Sequence, residues 1–337
     1  MTIKVEGKCG VSATVVADSI SVAGIRLMTF EITYPRIILS EANTHRMLSK
    51  NSASSRAIPF KKMKENLTGR PVRFGAANPG MQDTGEDFEK LIEGRDIGEE
   101  EYSGVHEALT AQQTWDAARE DALFWSEAFH NAGYAKQVYN RLTEPFQMMK
   151  TVLSGTELEN FFWLRDDGAA DPSLAELARC MREARDANTP QLLQAGDWHL
   201  PYVNFDNIGW QYWIEDSSAG PLGQLYLSTE DAIKVSCARA AAVSFRNTDY
   251  GLEKCKDVYV RLVGDERKHA SALEHQATPM QSVKPVYIVG ETVNLPFGPG
   301  SWQDGVSHVD RKGQLWSGNF RGFIQHRKTI AGENKPG

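Results

Sequence analysis

The sequence predicts an α/β fold of the α+β type, a β-hairpin near the start followed by a series of helices. Residues 11 to 34 alternate apolar and polar on either side of Ala23-Gly24, with Ala13-Thr-Val-Val-Ala17 before the turn and Ile25-Arg-Leu-Met-Thr-Phe-Glu-Ile-Thr-Tyr34 after it. That period-two pattern reads as a β-hairpin or two adjacent strands. Farther on, Val105, Leu109, Trp115, Ala118, Leu123, Phe124 and Phe129 stand among charges, which predicts a long amphipathic helix over 105–132. A further helix is expected over 174–187. The 337 residues are 41% hydrophobic and 24% charged, enough to bury the core of one large domain or two small ones.

The second strand feeds into Pro35, a helix-opening residue, and Ile37, Ile38 and Ala42 follow at helical spacing. The helix should end at His45-Arg46. Ser49-Lys-Asn-Ser-Ala-Ser-Ser-Arg56 is too rich in Ser and Asn to continue it, because those side chains compete for backbone hydrogen bonds, so a loop of hydroxyls is expected. Hydroxyls, exposed amides and the fork donors of Arg46 and Arg56 form a combination suited to phosphate. The same stretch also reads as a solvated helix end with a capping serine.

Residues 58 to 82, with three prolines, are expected to form a loop able to cover a site, its lysines and arginines a solvated face. The acidic stretch 83–101 is expected as an exposed helix and connector. Tyr134 to Met149 reads as a helix bent at Pro145, with Arg141 near the bend. In Thr151 to Arg165, Leu158, Phe161, Phe162 and Leu164 should be buried in a core helix, with Asn160 and Arg165 at its edge. His199 in the 197–202 loop reads either as a ligand or as a histidine closing a hydrogen-bond network.

A net charge of −7 gives no global field to recruit nucleic acid or an anionic membrane, so any anion site must be local. Cys9, Cys180, Cys237 and Cys255 show no C-x-x-C pair, which argues against a disulfide framework and a structural metal. With no signal-like start and no stretch of membrane-spanning length, a cytoplasmic protein is expected.

Three sets of residues resemble the flavin-dependent thymidylate synthases. His45-Arg46, seven residues and Ser54, together with Ser49, Asn51 and Arg56, resemble the Arg-His-Arg-x-x-Ser-x-Asn-x-x-Ser-x-Arg signature, with Thr44 in place of the first Arg and Ser52 in place of a Glu. Arg141, Pro145, Asn160, Phe161, Leu164 and Arg165 are similar to the Arg-x-x-x-Pro and Asn-Phe-x-x-Leu-Arg elements. After Arg165 the family's Ala-Gln-x-Glu is replaced by Ala169-Ala-Asp-Pro-Ser-Leu174. Ser236-Cys-Ala-Arg-Ala-Ala-Ala-Val-Ser-Phe245 and His269-Ala-Ser-Ala-Leu-Glu-His275 resemble the Ala-Arg-Val-Ser and His-x-Ser-Pro-Phe-Glu-His elements. In the family these precede the Arg-His-Arg signature, so the resemblance implies a circular permutation, feasible where chain termini lie close together.

The resemblance implies one domain over 1–337, an antiparallel sheet flanked by helices, with insertions around 58–132 and 190–230 and a C-terminal extension over 280–337. It implies a homotetramer with sites across subunits, FAD as cofactor, methylene-tetrahydrofolate as co-substrate and NADPH as reductant. The reaction implied is transfer of a one-carbon unit to C5 of dUMP, giving dTMP. On that reading Arg165 is catalytic, polarising the pyrimidine, where a guanidinium stabilises developing negative charge without a covalent bond. Glu41, Ser54, Ser55, Arg56 and Arg141 join it in holding the nucleotide. His45, Arg46, Ser154, Asn160, Ser244, His269, Ser271, Glu274 and His275 are implied to contact flavin. The second pair His326-Arg327, with Glu333, reads either as a supplement to the missing cation and Glu or as an incidental pair on a surface helix. Two other outcomes stay open: a related flavoenzyme methylating or hydroxymethylating dCMP or dUMP, fitting a phage that modifies its bases, and a non-catalytic nucleotide-binding subunit.

Overall fold

Strands β1 (Lys4–Glu6), β2 (Ser12–Ser21) and β3 (Arg26–Pro35) run antiparallel in the computed structural model, which describes residues 3–56, 58–77, 85–96, 106–216, 219, 223–243, 250–264, 268–282 and 302–333. Gly24, at φ +76°, takes the left-handed conformation that the turn between β2 and β3 requires. The chain passes through a 3₁₀ turn and α1 (Leu39–Asn43) into β4 (Ser49–Ser52). After α2 (Phe60–Lys64) come a small hairpin of β5 (Ile92–Asp96) and β6 (His106–Leu109), then α3 (Ala111–Asn131) and α4 (Lys136–Tyr139). β7 (Met148–Gly155) inserts between β3 and β4. The main sheet has the order β1-β2-β3-β7-β4, so β4 is an edge strand, and β8 (Gln191–Leu193) pairs parallel with the end of β2.

Alternation gives the sheet two different faces. Met28, Phe30, Ile32 and Tyr34 of β3, with Val15 of β2 and Leu153 of β7, pack against α5 (Leu158–Arg165) and α6 (Pro172–Asp186) through Phe161, Phe162, Leu174 and Met181. α6 starts where Pro172 occupies the first turn and the Asp171 carboxylate accepts from the amides of Ser173 and Leu174. The opposite face carries Leu27, Thr29 and Glu31 of β3, and through the register Ser154 and Val152 of β7 and Ser49 and Asn51 of β4.

That second face is covered by the later part of the chain. β9 (Asn204–Asp206), β10 (Gln211–Glu215) and β11 (Gln224–Leu227) form a small antiparallel sheet that shares a core with α7 (Thr229–Ala242) and α8 (Leu252–Gly264). β12 (Ala277–Pro279) pairs with β16 (Phe323–Gln325), beside the ladder of β13 (His308–Val309), β14 (Leu315–Ser317) and β15 (Phe320–Arg321). Phe320 and Phe323 are fully buried against Ile25, Leu27 and Leu193, so the segment expected as a C-terminal extension closes the core under the main sheet.

Several elements differ from expectation. Residues 49–52 form β4 rather than a loop, because their hydroxyl and amide side chains bond to neighbouring elements and leave the backbone free to pair with β7. The helix expected over 134–149 is only α4, followed by turns and a 3₁₀ segment at Glu144–Phe146. Met148 and Met149 already belong to β7, as do residues 151–155, so the core helix expected within Thr151 to Arg165 is only α5, and Leu164, expected buried, is exposed. Among its described residues the acidic stretch contains β5 and no helix, and the long helix begins at Ala111, where Thr110 and Gln113 form a capping box. α2 interrupts the loop expected over 58–82. His326 lies in a 3₁₀ turn and is largely buried, which rules out the surface-helix reading of the His326-Arg327 pair. All four cysteines are free, no described helix is long and apolar enough to cross a membrane, and no metal-binding cluster occurs among the described residues.

Candidate functional site

The site is organised around β4, because a short edge strand sends successive side chains to opposite faces. On one face Asn51 donates through Nδ2 to the Ala240 carbonyl of α7 at 2.7 Å and accepts through Oδ1 from Ser271 Oγ at 3.0 Å. Ser49 Oγ on the same face accepts from Gln325 Nε2 at 3.2 Å. On the other face Lys50 Nζ donates to the His45 carbonyl at 2.7 Å, and Ser52 Oγ is hydrogen-bonded to Thr151 Oγ1 at 2.8 Å.

Beside Asn51 a cavity of about 730 Å³ opens between the end of β4, α7, α8 and the 3₁₀ segment Ala270–Leu273. Its polar lining comprises Asn51, Ser54, Arg56, Gln137, Arg261, His269 and Ser271, while Ala241, Val258, Leu262 and Ala272 supply an apolar wall. Two guanidinium groups, an imidazole and two hydroxyls beside an apolar surface suit a ligand with a phosphate end and a flat ring. The expected residues Ser54, Arg56, His269 and Ser271 thus share one cavity. Arg261 and Gln137 line it too and were missed. An arginine in an amphipathic helix and a lone glutamine carry no signal of their own in the sequence.

Arg165 and His45 meet on the other face of β4. Arg165 Nε donates to His45 Nε2 at 2.8 Å, and its Nη2 lies 3.4 Å from Thr44 Oγ1. The His45 ring sits edge-on to Phe161, with centroids 4.9 Å apart. Burial, then the nearby charges of Arg165 and Lys50, push the His45 imidazole down to about 4. Burial also lowers the Lys50 ammonium to about 8.

Among the described residues, the remaining expected ones do not line the cavity. Glu41, Arg46, Arg141 and Asn160 are exposed, and Arg46, Arg141 and Arg165 do not line the cavity. Ser55 is buried and donates to Glu144 Oε1 at 2.5 Å, and Glu274 is ion-paired with Arg327, which also reaches Glu333 at 2.7 Å. Arg327 therefore braces the segment behind the cavity. Ser244 lies outside the described residues.

Ser154 and His275 belong to a buried polar chain under the sheet. His199 Nδ1 is 2.9 Å from Ser19 Oγ and its Nε2 is 2.8 Å from Thr29 Oγ1. Thr29 Oγ1 is 2.6 Å from Ser154 Oγ, which is 2.8 Å from His275 Nδ1. His199 is thus the network-closing histidine of the two readings. Burial drives both histidines down to about 3.

No protein-family model matches the chain, and no curated protein sequence matches it. Among solved structures, it overlaps with a flavin-dependent thymidylate synthase from Helicobacter pylori complexed with FAD and dUMP, at 18% identity and a TM-score of 0.31, over 47% of this chain and 67% of that one. A second structure of that enzyme with FAD and dUMP gives 17% identity over the same shares. These are partial overlaps of low score. What bears on function is the residue pattern together with the geometry of the chain itself.

Proposed function

We propose that the protein is a flavoenzyme that transfers a one-carbon unit from methylene-tetrahydrofolate to C5 of a pyrimidine deoxynucleotide, converting dUMP to dTMP. The observation that carries this reading is the shared cavity: Ser54 and Arg56 of one resembling segment face it together with His269 and Ser271 of another. A volume of about 730 Å³ lies within the usual range for a cofactor or small-molecule site, about 300–1,000 Å³.

The cavity's donor set fits FAD. Arg56 and Arg261 would neutralise the phosphates, Ser54 and Ser271 would donate hydrogen bonds, and the Val258 and Leu262 side would receive a ring. Flavin, when bound, supplies the reducing equivalents of the reaction, with NADPH as the proposed reductant. Arg165 then acts on the pyrimidine: its Nη groups would hydrogen-bond a ring carbonyl and stabilise the negative charge that builds as C5 becomes nucleophilic.

Arg165 and the cavity lie on opposite faces of β4. The proposal therefore includes a homotetramer in which one copy's Arg165 completes a site on another. The exposure of Met47, Trp163 and Leu164 around Arg165 supports that arrangement. Circular permutation is part of the same reading, supported by the hydrogen bond between Asn51 of the first motif and Ser271 of the last. Thr44 motivates one second reading: it stands where the family has an arginine, and its hydroxyl is the second contact of Arg165. A hydroxyl in place of a cation would alter recognition at the base, favouring dCMP or a hydroxymethyl product.

The test is reconstitution of purified protein with FAD, followed by turnover of dUMP with methylene-tetrahydrofolate. Flavin uptake with dTMP formation supports the proposal. Uptake with turnover of dCMP alone selects the second reading, and a protein that takes up no flavin refutes both.

A further inference from the structure

Arg165 makes a directional contact that constrains the chemistry of His45. A guanidinium nitrogen can only donate, so the 2.8 Å contact from Arg165 Nε requires a lone pair on His45 Nε2 and places the ring proton on Nδ1. The imidazole is held in place by Phe161 at its edge and by Lys50, whose ammonium fixes the His45 carbonyl at 2.7 Å. The preceding residue is fixed as well, since Thr44 Oγ1 donates to the Glu41 carbonyl at 2.6 Å. With Nε engaged, Arg165 keeps its four Nη hydrogens, and the nearest Nη contact, to Thr44, is long.

We infer that His45 is a positioning residue for Arg165, its neutral imidazole gripping the Nε edge so that the Nη edge is presented to the pyrimidine. This rests on the proposed role of Arg165 and adds a pH dependence to it. A proton on Nε2 would remove the acceptor and set two cations against each other. The charged groups facing the ring are Arg165 from α5 and Lys50 from β4, both positive. Of the neighbouring carboxylates, Asp166 is paired with Arg182 at 2.6 Å and Glu41 accepts from Ser40 at 2.8 Å. Nothing in the cluster compensates an imidazolium, and the ring is held down to about 4. Acid therefore releases Arg165, and the contact is complete at neutral pH.

Nitrogen NMR of the imidazoles across pH 4 to 8 tests the contact without reference to turnover, with the His45→Gln spectrum assigning the signal. The expected result is a neutral Nδ1–H ring through pH 5, whose titration moves up in Arg165→Met. A His45 that titrates near 6.5, the ordinary value, or that is indifferent to Arg165→Met overturns the inference. Should His45→Gln not fold, the signal that moves in Arg165→Met alone makes the assignment, and no moving signal overturns the inference. In turnover, His45→Leu should lower kcat on the order of 100-fold with little change in KM. His45→Gln, which keeps an acceptor, should restore much of the rate and lose the acid limb. Equal rates for Leu and Gln overturn the positioning role. A wild-type protein inert on pyrimidine nucleotides while the NMR result holds refutes the proposed function and leaves the contact standing.

Discussion

Asn51 and Ser271 are joined by a 3.0 Å hydrogen bond across 220 residues of sequence. With its second bond to the Ala240 carbonyl, Asn51 fastens the edge strand of the main sheet to both elements that form the back of the cavity.

Asn51→Ala should therefore weaken the fold and the site together. It leaves the buried Ala240 carbonyl without this partner, a loss of about 1–3 kcal/mol. Urea unfolding gives the stability change, and FAD titration should show weaker binding. A variant with wild-type stability and affinity would mean that the cavity does not depend on this link.

Arg56 and Arg261 should behave in the opposite way, because both are exposed at the cavity and hold no core contact. Arg56→Gln and Arg261→Gln should each weaken FAD binding about tenfold, one charge-assisted hydrogen bond, and flatten its salt dependence while the melting temperature stays put. Unchanged affinity in Arg261→Gln would remove α8 from the ligand site.

Phe323 tests whether the last segment belongs to the core. It is fully buried with Phe320 against Leu27 and Leu193, so Phe323→Ala should cost about 3–5 kcal/mol in urea unfolding. A cost below about 1 kcal/mol would restore the reading of this segment as a peripheral extension.

Acid should destabilise the protein through His199 and His275. Both are held down to about 3 in the folded chain, whereas in the unfolded chain they take up protons near 6.5. The unfolded state thus binds more protons below pH 6.5. Stability present above that pH is lost progressively as pH falls toward 3. Each histidine should cost about 2 kcal/mol at pH 5 relative to pH 7.5. Denaturation at the two pH values checks this, and His199→Gln should shrink the difference. Equal stability at both pH values would contradict a buried neutral pair.

The hairpin was legible because apolar and polar residues alternate along much of β2 and β3 around a glycine that turns, even though β2 bulges between Val15 and Ala17, and α6 was legible to within two residues from its pattern. β7 was not. Its residues are almost all buried on both faces, so Met148 to Gly155 lacks alternation and its first residues merged with the helical pattern before it. β4 was hidden for the opposite reason: a polar edge strand draws its order from partners such as Ala240, Ser271 and Thr151, far away in sequence. The same distance explains the site. Motif spacing singled out Ser54, Arg56, His269 and Ser271, yet only the packing of α8 brings Arg261 beside them. Alternation along β4 separates Arg165 from all five, a split that no linear pattern reveals.

Mass spectrometry of the nucleotide product tests the central claim most directly, since it reads the base and the transferred group at once. Wild-type protein supplied with FAD, NADPH, methylene-tetrahydrofolate and dUMP should yield dTMP, and Arg165→Ala should yield none while still binding flavin. Unaltered dUMP from a flavin-loaded wild-type protein, or equal dTMP from both proteins, would contradict the account.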